Sequence, residues 1–281
     1  MKKFAAFLIA GSALIGFAGL AQAEAEKNAK AVSFSFEGPF GKFDRAQLQR
    51  GYKVYKEVCS SCHSMKFVAF RNLADKGGPE LIYKPEDPTA DHLAIVKAIA
   101  ASFKISDVND AGETKDRVGL PSDYFPSPFP NEGAAKAANG GALPPDLSLI
   151  TKAREGWHGT FNQLINGIGG PQYVYSVLTG YEDAPKDAGT VDGKYYNPYF
   201  QNGVWISMPT AGTLTDGKVE FDDGAPNKIE DEARDVSAFL AWTAEPKMEE
   251  RKQTGFEVLI YLAILAGLLY AVKKKIWAAV H

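Results

Sequence analysis

A chain of 281 residues, 45% of them hydrophobic and 23% charged, is long and apolar enough to bury a sizeable core as one large domain or two small ones. A formal net charge of -3 and a pI near 5.9 argue against the basic stripe of a nucleic-acid binder, so nucleic acid is not expected among its partners. Both of its cysteines, Cys59 and Cys62, fall inside one short motif.

The first stretch, Met1 to Ala23, opens with Lys2 and Lys3, runs apolar from Phe4 to Leu20 and closes on Ala21-Gln22-Ala23. That small-x-small ending is the pattern of signal peptidase, so 1–23 reads as an export signal and the mature chain as starting at Glu24. An uncleaved anchor is the alternative; Gly11, Gly16 and Gly19 interrupt the short apolar run and speak against it.

From Asp44 to Val58 the spacing predicts an amphipathic helix with Asp44 as its N-cap. Leu48, Gly51, Tyr52, Tyr55 and Val58 share one face, and Gly51 within it suggests a close helix crossing. The helix ends at Cys59-Ser60-Ser61-Cys62-His63, a Cys-x-x-Cys-His signature of covalent c-type haem attachment. Thiols at this spacing suit the two vinyl groups on one porphyrin edge, and the following imidazole is the proposed proximal iron ligand. A redox pair would come with a thioredoxin-like βαβ pattern, and structural zinc would want a second Cys or His pair; neither pattern is present. With both thiols used in thioethers no structural disulfide is possible, so core and haem together must hold the fold.

Between Phe67 and Pro130 prolines and glycines punctuate the chain, with one expected helix from Asp91 to Phe103. The region reads as an insertion with too few periodic apolar positions for a core of its own. Gly140 to Ser148 then forms a proline-stiffened turn into a short helix, Leu147 to Arg154, for which Asp146 is the candidate N-cap. Phe161 to Ile168 and Pro171 to Leu178 read as two short helical segments around a glycine cluster that is a turn and not a phosphate loop.

A haem iron that carries electrons needs a sixth ligand. Of the four methionines, Met1 leaves with the signal, Met65 is too close to His63, and Met248 lies at the foot of an apolar segment. Met208, stiffened by Pro209, remains; His92 or His158 would instead give bis-His ligation. Asp216 to Asp235 is rich in acids, either as solvated charge or as a negative rim that steers a basic partner. Glu230 to Trp242 reads as a helix with acids in its first turn and Val236, Phe239, Leu240 and Thr243 on one face, a partner for the Gly51 helix. Finally Phe256 to Val272 is an apolar run just long enough to cross a bilayer, followed by Lys273, Lys274 and Lys275, which the positive-inside rule places in the cytoplasm.

The residues taken in order resemble the cytochrome c1 family, the haem subunits of the ubiquinol:cytochrome c oxidoreductase or bc1 complex. The resemblance rests on Ser35-Phe36-Glu37-Gly38, Val58 to Met65, Leu143-Pro144-Pro145-Asp146-Leu147-Ser148, Lys152-Ala153-Arg154, Tyr173-Val174-Tyr175, Leu178-Thr179-Gly180, Met208-Pro209, Asp235 to Leu240 and Ala244-Glu245-Pro246. It implies a mainly α, cytochrome c-like haem domain with long loop insertions plus one C-terminal transmembrane helix. It further implies one covalent haem c with iron ligands His63 and Met208, Arg154 paired with a propionate, and Asn139, Pro145 and Tyr173 near the ring. Relatives often brace the region near Tyr181 to Gln201 with a disulfide that this chain lacks. The implied partners are cytochrome b and a Rieske iron-sulfur protein in a dimeric membrane complex, a soluble or tethered cytochrome c as acceptor, and membrane lipid. The corresponding division is a signal at 1–23, a periplasmic haem domain at 24–254, an anchor at 255–273 and a cytoplasmic tail at 274–281, in a bacterial inner membrane. The subunit makes and breaks no substrate bond, so it is an enzyme only as part of its complex. An independent tethered cytochrome serving an oxidase, and a haem peroxidase or gas sensor with an open iron position, are the competing classes.

Overall fold

The computed structural model describes residues 27–81, 93–108, 112–154, 169–201, 203–209 and 213–278. Its helices are α1 (Arg45–Glu57), α2 (Ala94–Ala101), α3 (Glu132–Ala138), α4 (Ile150–Ala153), α5 (Gly170–Thr179), α6 (Ile229–Ala244) and α7 (Met248–Ala278). Two antiparallel strand pairs join them, β1 (Lys104–Val108) with β2 (Thr114–Val118) and the two-residue β3 (Tyr195–Tyr196) with β4 (Trp205–Ile206). The architecture is mainly α, as the family resemblance implies.

The domain turns on the crossing of α1 and α6. Asp44 caps α1 by accepting from the Gln47 amide at 3.2 Å, and Leu48, Gly51, Tyr52, Val54 and Tyr55 face inward. At the crossing Gly51 lies flat against α6: a Cβ there would collide with the Asp235 carbonyl and press on Phe239. On α6 the expected face of Val236, Phe239, Leu240 and Thr243 is buried, but so is Trp242. The turn at Gly78 covers the indole from the other side, so α6 is enclosed nearly all round.

The region expected to be an insertion has no separate core because it lends its aromatics to the main one. Phe70 lies 4.5 Å from Phe125 between ring centroids, Phe103 lies 5.0 Å from Phe70, and Phe125 continues to Tyr55 at 6.0 Å and so to Phe239. Each such ring, once buried, contributes about 1.5–3 kcal/mol relative to exposure. Backbone bonds from Phe70 to Asp123 (2.9 Å), Arg71 to Pro121 (2.8 Å) and Phe125 to Val68 (3.1 Å) lace the two ends of the region together. The expected helix over 91–103 is observed as α2; its proposed start at Asp91 and His92 falls outside the described residues. Past it, the β1–β2 hairpin and α3 were not foreseen.

Near the C-terminus, α7 is charged at both ends and apolar between them, with a mean hydropathy of 2.1 in its most apolar window and none of that window buried in the chain. It is long and apolar enough to cross a membrane.

Candidate functional site

The Cys-x-x-Cys-His motif leaves the end of α1 as a tight turn. Val58 closes the helix by donating to the Val54 carbonyl, and the amides of Cys62 (3.2 Å) and His63 (2.9 Å) both converge on the Cys59 carbonyl. Ser60 and Ser61 return their hydroxyls to the Lys56 and Val58 carbonyls, satisfying acceptors that a helix end leaves open. Burial pushes the Cys59 thiol up to about 12. A redox pair works through a lowered thiol pKa, which this burial does not supply.

His63 is oriented by Pro145: its Nδ1 lies 2.8 Å from the Pro145 carbonyl oxygen, so Nδ1 carries the proton and Nε2 keeps its lone pair. Burial pulls the imidazole pKa down against the opposing pull of that carbonyl and of Asp146, which favours the neutral, ligating form. Asp146 itself is the hub beneath the motif. Its carboxylate accepts from the Ser64 hydroxyl (2.8 Å), the Lys66 amide (2.9 Å) and the Ser148 amide (2.9 Å), while Leu147 donates to the Ser64 carbonyl at 2.9 Å. Burial would raise the Asp146 pKa, yet these donors outweigh it and hold the carboxyl below the usual range. The expected N-cap role is corrected: α4 begins only at Ile150, without a side-chain cap, and Asp146 instead satisfies the turn that follows His63. Three donors at hand outcompete one helix end.

Arg154 follows α4, and its guanidinium stands 5.9 Å from the ring centre of Tyr173 on α5. One of its amines donates to the Ala153 carbonyl, but among the described residues its buried Nε–H has no acceptor. A buried cationic donor without a partner is costly and calls for an anion. The Tyr173 hydroxyl accepts from the Gln201 amide at 3.3 Å, which ties α5 to the segment leading toward Met208.

Met208 is half-buried against the core just after β4. Its carbonyl accepts from the Tyr181 hydroxyl at 2.9 Å. Behind it, fully buried Asn197 donates its backbone amide to Val204 (2.7 Å) and its side-chain amide to the Val177 carbonyl on α5 (2.8 Å). Neither Tyr181 nor Asn197 carried a signal in the sequence, whereas Asp146 did: an Asp two residues before Ser, after a Pro-Pro turn, is a common self-bonding turn pattern. Asn139 makes local bonds only, donating its side-chain amide to Ala135 at the end of α3, and no hydrogen bond among the described residues links it to the other site residues. His92 and His158 lie outside the described residues.

The acid-rich segment is used partly inside the fold, where Glu232 and Asp235 are buried, while most of its other acids stay exposed. Asp216 accepts from the Ile229 amide at the start of α6 (3.0 Å), buried Glu232 accepts from Val219 (2.8 Å), and Asp235 pairs with Arg50 (2.6 Å) and Gln47 (3.1 Å). Asp223 pairs with Arg50 at 2.8 Å and the exposed Asp222 with Lys53 at 3.1 Å, so the rim is already partly neutralised by α1.

The set fits a covalently held haem on its own chemistry: two adjacent thiols, an imidazole with a free Nε2, and an orphaned buried guanidinium nitrogen for a carboxylate. The Cytochrome C1 family matches residues 34–280. Cytochrome c1 of Cereibacter sphaeroides is 45% identical over 297 residues, covering 97% of this chain and 95% of the relative. Mitochondrial cytochrome c1 heme protein of Saccharomyces cerevisiae is 43% identical over 261 residues, 92% of this chain and 75% of the relative. A cytochrome b/c1 of Bradyrhizobium diazoefficiens is 49% identical over 286 residues; this chain is covered to 98% but spans only 39% of that longer protein.

Proposed function

The chain belongs to the cytochrome c1 family, and from that premise we propose that it holds one haem covalently through Cys59 and Cys62, with His63 and Met208 as the iron ligands. The observation that carries the reading is the hydrogen bond from His63 Nδ1 to Pro145, which presents Nε2 as a ligand beside the thiols of Cys59 and Cys62. A haem bound there supplies one-electron chemistry at its iron. The chain's own residues do the rest: Pro145 and Asp146 orient His63, Arg154 meets a propionate with its unpartnered Nε–H, Tyr173 flanks that guanidinium, and Asn139 closes the end of α3. A thioether ligand at Met208 would favour the ferrous state and raise the potential.

In the intact assembly the chain would stand beside cytochrome b in a dimeric complex, receive electrons from a Rieske iron-sulfur protein and pass them to a cytochrome c. It makes and breaks no substrate bond of its own. Residues 24–254 would lie in the periplasm of a bacterium, 255–273 would cross the inner membrane with Lys273 at its cytoplasmic boundary, and 274–281 would stay cytoplasmic. The test is chemical and topological. After denaturation and acid-acetone extraction the haem should remain on the polypeptide, and Cys59→Ala with Cys62→Ala should release it; a fully extractable haem in the unmutated chain overturns the covalent reading. Purification of the membrane complex should bring cytochrome b with this chain. Isolation alone, with an oxidase, would instead support a free-standing tethered carrier.

A further inference from the structure

The start of α7 is bolted to the domain. Glu249 accepts from the Arg45 guanidinium at 2.9 Å through both oxygens and from the Phe43 amide at 2.9 Å, and Arg45 also donates to the Gly77 carbonyl at 2.7 Å. Lys252 donates to the carbonyls of Phe36 (2.6 Å) and Gly41 (3.2 Å), the two ends of a tight turn through Gly38 and Pro39. Gly38 has a φ of +70°, a conformation that suits glycine and lets the turn project. The turn is thereby held at a set height along α7.

Of the four phenylalanines in this segment, Phe34, Phe36 and Phe43 are buried, while Phe40 is 72% exposed. Among the described residues its one aromatic neighbour is Phe256 on α7, met edge-on with ring centroids 5.5 Å apart. Phe256 opens the apolar run that ends before Lys273. Seventeen residues of helix span about 26 Å, close to the roughly 30 Å hydrocarbon core of a bilayer. With the lysines in one headgroup layer, Phe256 falls at the opposite boundary, and Phe40 falls with it. At the far end Trp277 sits under the Lys273 ammonium at 5.2 Å, a second aromatic at the other boundary.

We propose that the Glu37 to Gly41 turn is a second membrane contact, with Phe40 inserted among the lipids of the outer leaflet beside Phe256. This rests on reading α7 as a membrane span. Such a contact, a few residues from the fixed end of the helix, sets the tilt of the haem domain against the bilayer, which a single flexible tether would leave free. Lipid is the occupant favoured here because the patch is continuous with the apolar stretch of α7 after Glu257, none of whose most apolar window is buried in the chain.

The test uses the full holo chain in lipid nanodiscs. With Cys59 and Cys62 in thioethers, Phe40→Cys, Leu262→Cys and Lys186→Cys each introduce a single free thiol for a spin label, read on the reduced protein by its collision with oxygen and with a water-soluble nickel chelate. Labelling above one per chain would report failure of the thioether reading separately. The expected result is an oxygen-to-nickel accessibility ratio at position 40 close to that at 262 and many-fold above that at 186. A water-like label at 40 with a lipid-like label at 262 overturns the proposal while leaving the span intact. A water-like label at 262 overturns the span and the proposal with it. A label at 40 shielded from both probes means that protein, not lipid, covers Phe40.

Discussion

His63 and Met208 arrive at the candidate site on supports of different kinds. His63 follows directly from α1, whose inner face is clamped across Gly51 to α6, and the turn after it is held by three donors to Asp146 and by Pro145. Met208 sits beyond a two-residue ladder and depends on isolated side-chain bonds from Tyr181 and Asn197 back to α5. The first support is core packing with a polar hub; the second is a loop hung from a helix by a few hydrogen bonds. Cooperative packing resists displacement, whereas a loop held by single bonds yields in small steps. The histidine side should therefore fail through global stability, and the methionine side through the properties of the site while the fold survives.

Removing the proposed ligand Met208 gives the largest effect expected. Met208→Leu should leave the protein folded but lower the reduction potential by roughly 0.2 V, within the range of about 0.8 V that axial ligands command, and open the iron to carbon monoxide. A redox titration that finds the potential unchanged, with no carbon monoxide spectrum, would remove Met208 from its role. On the other side, Gly51→Ala should cost about 3 kcal/mol by overpacking the α1–α6 crossing, read as a fall in the denaturation midpoint with no ligand change in the surviving fold. A neutral Gly51→Ala would mean that the crossing is not what secures His63.

Asp146→Asn sharpens the contrast through pH. The folded carboxyl titrates below the ordinary aspartate value of about 3.9, so its stabilisation is complete well above pH 4 and is lost as pH falls through the depressed folded value. The wild type should therefore lose stability between about pH 5 and pH 3 more steeply than Asp146→Asn, which at neutral pH should be about 1–3 kcal/mol less stable. Parallel thermal melts across that range would contradict the hub. Smallest of all, Tyr181→Phe removes one hydrogen bond and should cost about 1 kcal/mol, with a modest potential shift and faster carbon monoxide binding on a normally loaded haem. If it lowers the melting temperature as much as Gly51→Ala does, the two supports are not different in kind.

Short-range regularity made part of this legible. Asp44 as a cap, the buried stripe of α1, the glycine crossing, the acids opening α6 and the apolar α7 all follow from residue types at fixed local spacings, and the structure bears them out. The hairpin β1–β2 was not legible because both strands are largely exposed and lack the alternation that marks a buried face. Trp242 looked marginal because its cover comes from Gly78, more than 160 residues away in sequence. Likewise the acids from Asp216 to Asp235 read as surface charge until α1 supplied Arg50 and Lys53 opposite them.

Cys59, Cys62 and His63 stand in a pentapeptide whose spacing alone matches a haem, so the sequence by itself pointed to that cofactor class, to the family and to an apolar helix near the C-terminus. Which atoms orient that chemistry was decided only by tertiary structure. The Pro145 carbonyl on His63, the Asp146 hub, the Tyr181 bond to Met208 and the Lys252 clamp on the Phe40 turn join residues from 27 to more than 200 positions apart. A hydrogen bond depends on distances of about 3 Å and on direction, and no local pattern encodes which distant donor will arrive there once the apolar faces have closed.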